Sequence, residues 1–575
     1  MLRQQVTRTI RENSKSILKL LILNLIIPPI EIGIFGLIFL ILNGTGIPEI
    51  VNIISNYITI PISFETSIWS ILTLPTITLL TIIIWAFLRM ARAIINANTR
   101  YNILTSQETE VVNLYFNISG DANNKENTED ISNLILQLSG ALAAYTMAWI
   151  GLASALISII MMSITAILTE PIITLIAITL GAISVIINKQ NFKHIQSIGN
   201  IKVTTQREML YEVNQSIRGF EMVRFDDLKH VVMQRMRRII DKDKSWRVDK
   251  RTTSERVTMM SDSFGLISLL VIISLSSILL PVAIETLLIL ILLFSRLRSY
   301  TAEFQSQWTI MKEFTSGTHK LIETKYRLIQ NSTTRRKIIN DIDSISIQDL
   351  SFGFDEELIL DNISAEIHKG DQILLTGKSG NGKSTFLKLI SGYYQPHAGS
   401  VNFKTELLGH HKSTDLNIAS HVFYASNEMY LPNLTLKDFI DPDNRYSTVE
   451  IKHILHQSCL DELVENDGSL ENTIGDNGSY LSLGQRQRLI LSRIYSRSPA
   501  VVILDEVTSN LDEATERDVL TKLMNHLNPD TIIIISSHHH PPILDFNKTY
   551  QLSSGRLNIL CHSKNPSDRE NSHAK

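Results

Sequence analysis

Gly377-Lys378-Ser379-Gly380-Asn381-Gly382-Lys383-Ser384-Thr385 is the stretch on which the reading of this chain turns. An apolar run, Gln372-Ile373-Leu374-Leu375-Thr376, precedes it, and Phe386-Leu387-Lys388-Leu389-Ile390 follows with helical spacing. Strand, glycine-rich turn and helix stand in the order a phosphate-binding loop needs. The glycines let the backbone curl so that several N–H groups face phosphate oxygens. The start of the helix adds its positive dipole end. In that arrangement Lys383 reaches the β- and γ-phosphates, and the Ser384 hydroxyl ligates Mg²⁺. The bland alternative is a chance Gly/Lys/Ser cluster, expected in roughly a few per cent of chains this long at average residue usage. The flanking strand and helix lower that further.

Working outward, 575 residues imply more than one domain. A net charge of -3 points neither to a nucleic-acid binder nor to an acidic tail protein. The two cysteines, Cys459 and Cys561, give no metal spacing and no disulfide framework, which fits a reducing face for that half. The mean hydropathy of +0.09 hides an asymmetry. Residues 17–300 hold long apolar stretches, and residues 301–575 hold none longer than a buried strand.

The basic residues organise the first half. Arg3, Arg8, Arg11, Lys15 and Lys19 are followed by no Lys or Arg until Arg89. Residues 126–188 and 257–295 are likewise free of both, and 189–256 are dense in them. Each gap holds a pair of apolar runs, giving six spans at about 17–42, 68–88, 138–168, 172–187, 262–280 and 282–296. Six runs in phase with the charge gaps argue against six buried core helices. The positive-inside rule then puts both termini and the long basic connections in the cytoplasm. The first run is too long for a signal peptide and no small-residue cleavage pattern follows it. The inner connections read as continuations of the membrane helices, with tips at residues 115–130 and Ser216–Asp227. Pro28-Pro29 should kink the first span. Glu31, within a turn of them, is either a transport acid or a structurally paired one.

Beyond about residue 330 the pattern changes. Residues 1–330 form the membrane domain, 331–344 a linker, 345–560 an α/β domain and 561–575 a polar tail. In the α/β domain, Val501-Val502-Ile503-Leu504-Asp505-Glu506 reads as a buried parallel strand ending in two acids. Beside the phosphate loop's own strand, the first acid can hold Mg²⁺ and the second can polarise an attacking water. Phe354, on an alternating strand upstream, is either a core residue or a platform for a nucleotide base. Thr531–Ser537 is another buried strand and ends at His538-His539-His540; a histidine there can contact a γ-phosphate.

Leu481-Ser482-Leu483-Gly484-Gln485 opens a helix and resembles the signature of ATP-binding cassette (ABC) proteins, usually Leu-Ser-Gly-Gly-Gln. The other motifs fall in the family's order: an aromatic A-loop at Phe354, Walker A at 377–385, Walker B at 501–506, a D-loop at Ser509-Asn510-Leu511-Asp512 and an H-loop at His538, with His539 as the other register. Ile474–Gly478 resembles the exporter-type loop that contacts the partner's inner helices. The resemblance covers nearly the whole chain. It implies six helical spans of exporter type fused to an α/β P-loop NTPase cassette. It also implies ATP and Mg²⁺ as ligands, with Mg²⁺ held by Ser384, Asp505 and Asn427. Glu506, His538 and Lys383 are implied as catalytic residues, and Ser482, Leu483, Gly484 and Gln485 as acting on the ATP of a second subunit. Two positions depart from the family. Leu483 replaces a glycine but still offers its N–H. Asn427 stands where the family has the Q-loop glutamine, one methylene longer.

These readings together imply ATP-driven export or flipping of a substrate by a dimeric half-transporter in the cytoplasmic membrane, with both termini and the cassette cytoplasmic. An ATP-gated channel or regulator of the same architecture is the alternative. A nucleic-acid-remodelling cassette ATPase is disfavoured by the six runs. A homodimer is favoured over a heterodimer because one chain keeps both Glu506 and His538. Membrane lipid and an unidentified substrate are the other partners, with no nucleic acid expected.

Overall fold

Apolar runs that cannot pair their backbone outside a helix become very long helices here. The computed structural model describes residues 2–43, 68–117, 134–278, 284–330, 337–338, 342–354, 357–405, 409–412, 416–417, 421–464, 468–537 and 546–561. The chain divides into an N-terminal helical unit, within residues 1–330, and a C-terminal unit from Asn331, and each is described by itself.

The helical unit contains α1 (Leu2–Glu12), α2 (Ser14–Asn43), α3 (Ile68–Phe116), α4 (Ser139–Thr169), α5 (Pro171–Ile187), α6 (Lys189–Arg218), α7 (Phe220–Phe225), α8 (Lys229–Ile278) and α9 (Ile284–Gln330). Four described stretches are long and apolar enough to cross a bilayer: Ser14–Ile38, Leu74–Phe116, Ser139–Thr169 and Pro171–Arg218. The runs expected at 262–280 and 282–296 fall in α8 and α9, on either side of residues 279–283, which lie outside the described residues. Helix α3 has 49 residues, about 73 Å at 1.5 Å per residue, more than twice a bilayer core. Its basic half from Arg89 onward therefore continues beyond an apolar slab as the same helix. Pro28 and Pro29 both lie inside α2. The tip expected at Ser216–Asp227 is the break around the short α7; most of the tip at 115–130 lies outside the described residues.

Small residues set the close packing of α9 on α4. The buried face of α4 carries Ala141, Ala143, Ala144, Ala148, Ser154, Ala155 and Ser158. A Cβ on Gly317 of α9 would lie 3.0 Å from the Ala141 methyl, so the helices approach as short side chains allow. Charges buried in this unit are paired. Glu31 accepts a hydrogen bond from the Tyr300 hydroxyl at 2.6 Å and lies 3.7 Å from Arg296. This is the structural pairing foreseen as one of its two readings. Glu313, 5% exposed, receives Lys202 at 3.0 Å and Lys250 at 2.9 Å, tying α6 and α8 to α9. Lys325 donates to Gln107 at 2.9 Å and Glu110 at 2.6 Å, tying α9 to α3. An apolar cavity of about 260 Å³ opens among α4, α5, α8 and α9, lined by Leu156, Ile159, Gly181, Phe264, Phe294 and Phe304 among others.

In the C-terminal unit, alternating and continuous apolar runs sort into two main sheets, beside a two-residue parallel pairing of Lys337–Ile338 with Leu416–Asn417. The strands are β1 (Ser344–Phe354), β2 (Glu357–His368), β3 (Gln372–Thr376), β4 (Ala398–Thr405), β5 (Gly409–Lys412), β6 (Val422–Ser426), β7 (Val501–Asp505), β8 (Ile532–Ser536), β9 (Lys548–Ser553) and β10 (Arg556–Cys561). An antiparallel sheet runs in the order β2-β1-β4-β5, and a six-stranded sheet in the order β10-β9-β3-β8-β7-β6, parallel from β9 to β6. Strands β7 and β8 are buried at every residue, as their Val/Ile/Leu runs require of central parallel strands. The main helices are α10 (Lys383–Ile390), α11 (Leu436–Ile440), α12 (Thr448–Gln457), α13 (Leu483–Arg497) and α14 (Glu513–His526). Most of the expected 331–344 linker and all but Cys561 of the expected tail lie outside the described residues.

Candidate nucleotide site

The loop from Gly377 to Gly382 joins β3 to α10 at the C-terminal edge of the parallel sheet. Its shape depends on glycine at two positions. Gly377 has φ 151°, and a Cβ there would meet the Leu552 carbonyl at 2.5 Å. Gly382 has φ 87° and packs against Ile359 at 2.7 Å by the same measure. Asn381 fastens the loop by donating from Nδ2 to the Leu552 carbonyl at 3.0 Å. Lys378, Ser379 and Gly380 are exposed at the crest. The first N–H groups of α10 have no acceptor within the helix and open into this turn.

Lys383 is 5% exposed; its Nζ donates to the Gly377 carbonyl at 2.9 Å and lies 3.5 Å from Glu506 Oε1. Asp505 ends β7, in register with Ser536 on β8 and Ser426 on β6. Its Oδ2 accepts from the Tyr424 hydroxyl at 3.1 Å, and its Oδ1 is buried with no partner among the described residues. Burial, then the Asp505 charge, pushes the Tyr424 hydroxyl well above its usual range, so it stays protonated and donates. A buried anionic oxygen without a donor is what a divalent cation would satisfy, and the exposed Ser384 hydroxyl at the start of α10 supplies a second oxygen. The residues present thus fit Mg²⁺. Glu506 follows with φ 53°, a left-handed conformation for a non-glycine residue, held by its N–H on the Ser536 carbonyl at 3.1 Å. Strained backbone of this kind gathers at functional sites.

Phe354 is 41% exposed at the end of β1, edge-on to Phe352 at 5.2 Å and Tyr394 at 5.8 Å. Phe352 and Tyr394 are buried, so Phe354 is the ring with a free face. Ser482 caps α13: its hydroxyl accepts from the Gln485 N–H at 3.2 Å, while Gln485 Oε1 accepts from the Ser482 N–H at 2.8 Å. Leu483 is the first helical residue and 48% exposed, so the missing glycine is not needed for the backbone path. Among the described residues, no hydrogen bond or ion pair joins Ser482–Gln485 to the phosphate loop. Asp512 caps α14, accepting from the Thr515 N–H at 3.0 Å; the Thr515 hydroxyl and then that N–H hold its carboxyl below the usual range. Ile474–Gly478 is fastened to residues after β6 by Ile474 N–H to the Leu434 carbonyl at 2.9 Å and Leu431 N–H to Asn477 at 3.2 Å. His538 and His539 lie outside the described residues.

Asn427 follows β6 immediately, and its Oδ1 accepts from Gln487 at 3.0 Å and Asn510 at 3.3 Å. The sequence reading missed Tyr424 and Gln487 as parts of this site; Asn510 stood in the D-loop, with no contact to Asn427 foreseen.

The ABC transporter family model matches residues 360–509. The cassette belongs to the ABC transporters. Among curated proteins, the ABC cassette is similar to the microcin-J25 export ATP-binding/permease protein McjD of Escherichia coli, 33% identical over 221 residues. That match covers 37% of each chain. It is also similar to the ATP-dependent lipid A-core flippase of Francisella tularensis, 32% identical over 221 residues, 37% of this chain and 35% of the flippase. These matches span well under two thirds of either relative. The fold likeness is wider: a bacterial Atm1-family ABC exporter solved with ATP bound overlays 96% of this chain and 95% of its own, with a TM-score of 0.77 at 15% identity. The whole chain therefore has the ABC exporter fold.

Proposed function

We propose that the protein is an ATP-driven exporter or flippase, working in the cytoplasmic membrane as two copies of one chain. The observation that carries this is the cluster at the sheet edge: Lys383 beside the phosphate loop, Asp505 with a buried unpartnered oxygen, and Glu506 turned toward Lys383. Lys383 would neutralise the β- and γ-phosphates, and Ser384 with Asp505 would hold Mg²⁺, which when bound screens phosphate charge. Glu506 would orient the attacking water and take its proton. Phe354 would stack on the base. Ser482, Leu483, Gly484 and Gln485 would face the ATP of the second copy, which fits their lack of bonds to their own loop. His538 would contact the γ-phosphate, and six spans with both termini cytoplasmic complete the reading. The apolar cavity supports a cargo with an apolar part.

The test is ATP hydrolysis by purified protein, together with uptake of candidate cargoes into inverted vesicles. Export requires ATP-dependent uptake that Lys383→Ala abolishes. Turnover without ATP-dependent net movement against a gradient would replace the exporter with a gated channel or regulator.

A further inference from the structure

At the position where the family resemblance puts a metal-contacting amide, the side-chain oxygen is already engaged. An amide oxygen has two lone pairs, and both of those on Asn427 face donors: Gln487 Nε2 at 3.0 Å and Asn510 Nδ2 at 3.3 Å. Gln487 lies on α13 and is 1% exposed, and its own Oε1 is buried without a partner. Among the described residues, the bond to Asn427 is thus the one hydrogen bond of that buried side chain. Asn510 also donates to Ser509 at 3.3 Å, within the turn that runs from Glu506 to α14. Asp505, paired across the strands with Asn427's neighbour Ser426, shows the opposite state: its Oδ1 is buried with no donor among the described residues. For Asn427 to ligate a cation it would have to release a donor. Releasing Gln487 would leave a buried amide with neither of its polar atoms bonded, which is unfavourable.

We propose that Asn427 is a positioning residue and not a ligand of Mg²⁺. With Gln487 and Asn510 it forms a three-amide latch that fixes the end of β6, helix α13 and the turn after Glu506 around Asp505. The cation is held from Ser384 and Asp505. The inference rests on the ATPase reading above, but part of its test needs no turnover.

Mn²⁺ binding with ATP, followed by electron paramagnetic resonance in full-length Glu506→Gln protein, reads the metal site directly. Asp505→Asn should weaken Mn²⁺ binding by about tenfold or more, and Asn427→Ala by less than about twofold. In the chain with Glu506 intact, Asn427→Ala and Gln487→Ala should each lower kcat by about tenfold with KM for ATP unchanged. The double variant should be no slower than either single one, as for two halves of one contact. Weakened Mn²⁺ binding in Asn427→Ala, comparable with Asp505→Asn, would make Asn427 a metal ligand and end the proposal. So would wild-type kcat in Gln487→Ala, or losses that simply multiply. Absence of turnover in the wild-type chain would instead count against the ATPase reading, with the Mn²⁺ comparison still deciding the latch.

Discussion

Glu506 shows how a single residue joins strain to chemistry. Its φ of 53° costs roughly 1 kcal/mol in an L-residue and places Oε1 3.5 Å from Lys383. Glu506→Gln keeps the side-chain shape and removes the proton acceptor. Phosphate release should fall by about 10²-fold or more while fluorescent ATP-analogue binding persists; undiminished release would assign the water to another group. Leu483 makes the complementary case. It is the first residue of α13 with its side chain half in solvent, so what it would offer a phosphate in the proposed pair is its N–H. Leu483→Gly should leave turnover at the wild-type rate, at most lowering thermal stability by about 1 kcal/mol through helix propensity. A large gain in turnover would show that leucine handicaps the signature.

Among the elements, close backbone approach and one histidine at a helix end make sharper predictions than the apolar faces. A Cβ on Gly199 of α6 would lie 2.4 Å from the Glu313 backbone carbonyl of α9, and backbone cannot rotate away. Gly199→Ala should therefore destabilise the detergent-solubilised protein by about 1–3 kcal/mol. Gly36→Ala, with nothing within 4 Å, should match or exceed wild type in the same melting experiment. His526 ends α14 with its ring 4.7 Å from that of Tyr495. Burial, helped by the nearby charge of His453, holds its pKa below the model-peptide value of 6.5. The unfolded chain then binds the proton more readily than the folded one. Stability is complete above pH 6.5 and is lost as pH falls through the lower folded value. The thermal midpoint should drop on acidification, and His526→Phe, which keeps a ring against Tyr495, should shrink that drop.

For the molecule as a whole, what could be read in advance was what local chemistry dictates. Glycines that need positive φ, the two acids ending β7 and the capping pair Ser482–Gln485 are all set within a few residues of chain. Contacts chosen by the tertiary fold were not legible. Asn427 meets residues 60 and 83 positions away, and Glu313 meets cations 63 and 111 positions away. Nothing in the spacing of an isolated Asn or Glu selects such partners. The proposed pairing of two copies has its own prediction. Lys383→Ala and Ser482→Arg chains should each be inactive alone, but together they should recover ATP turnover. In a mixed pair both defects fall on one site and leave the other intact. Persistent inactivity of the mixture would mean each site is built within one chain.

Helix α9 runs unbroken from Ile284 to Gln330, 47 residues or about 70 Å of rod. A rod of fixed length behaves as a lever. A tilt of only about 5° about one end sweeps the other through about 6 Å, more than the pitch of one helical turn. The ion pairs of Glu313 and Lys325 brace it to its neighbours at two heights, so the swing is shared by the helices clamped to it. A small angular change at one end would in this way be enlarged mechanically at the other, with no need to bend or melt the helix that carries it.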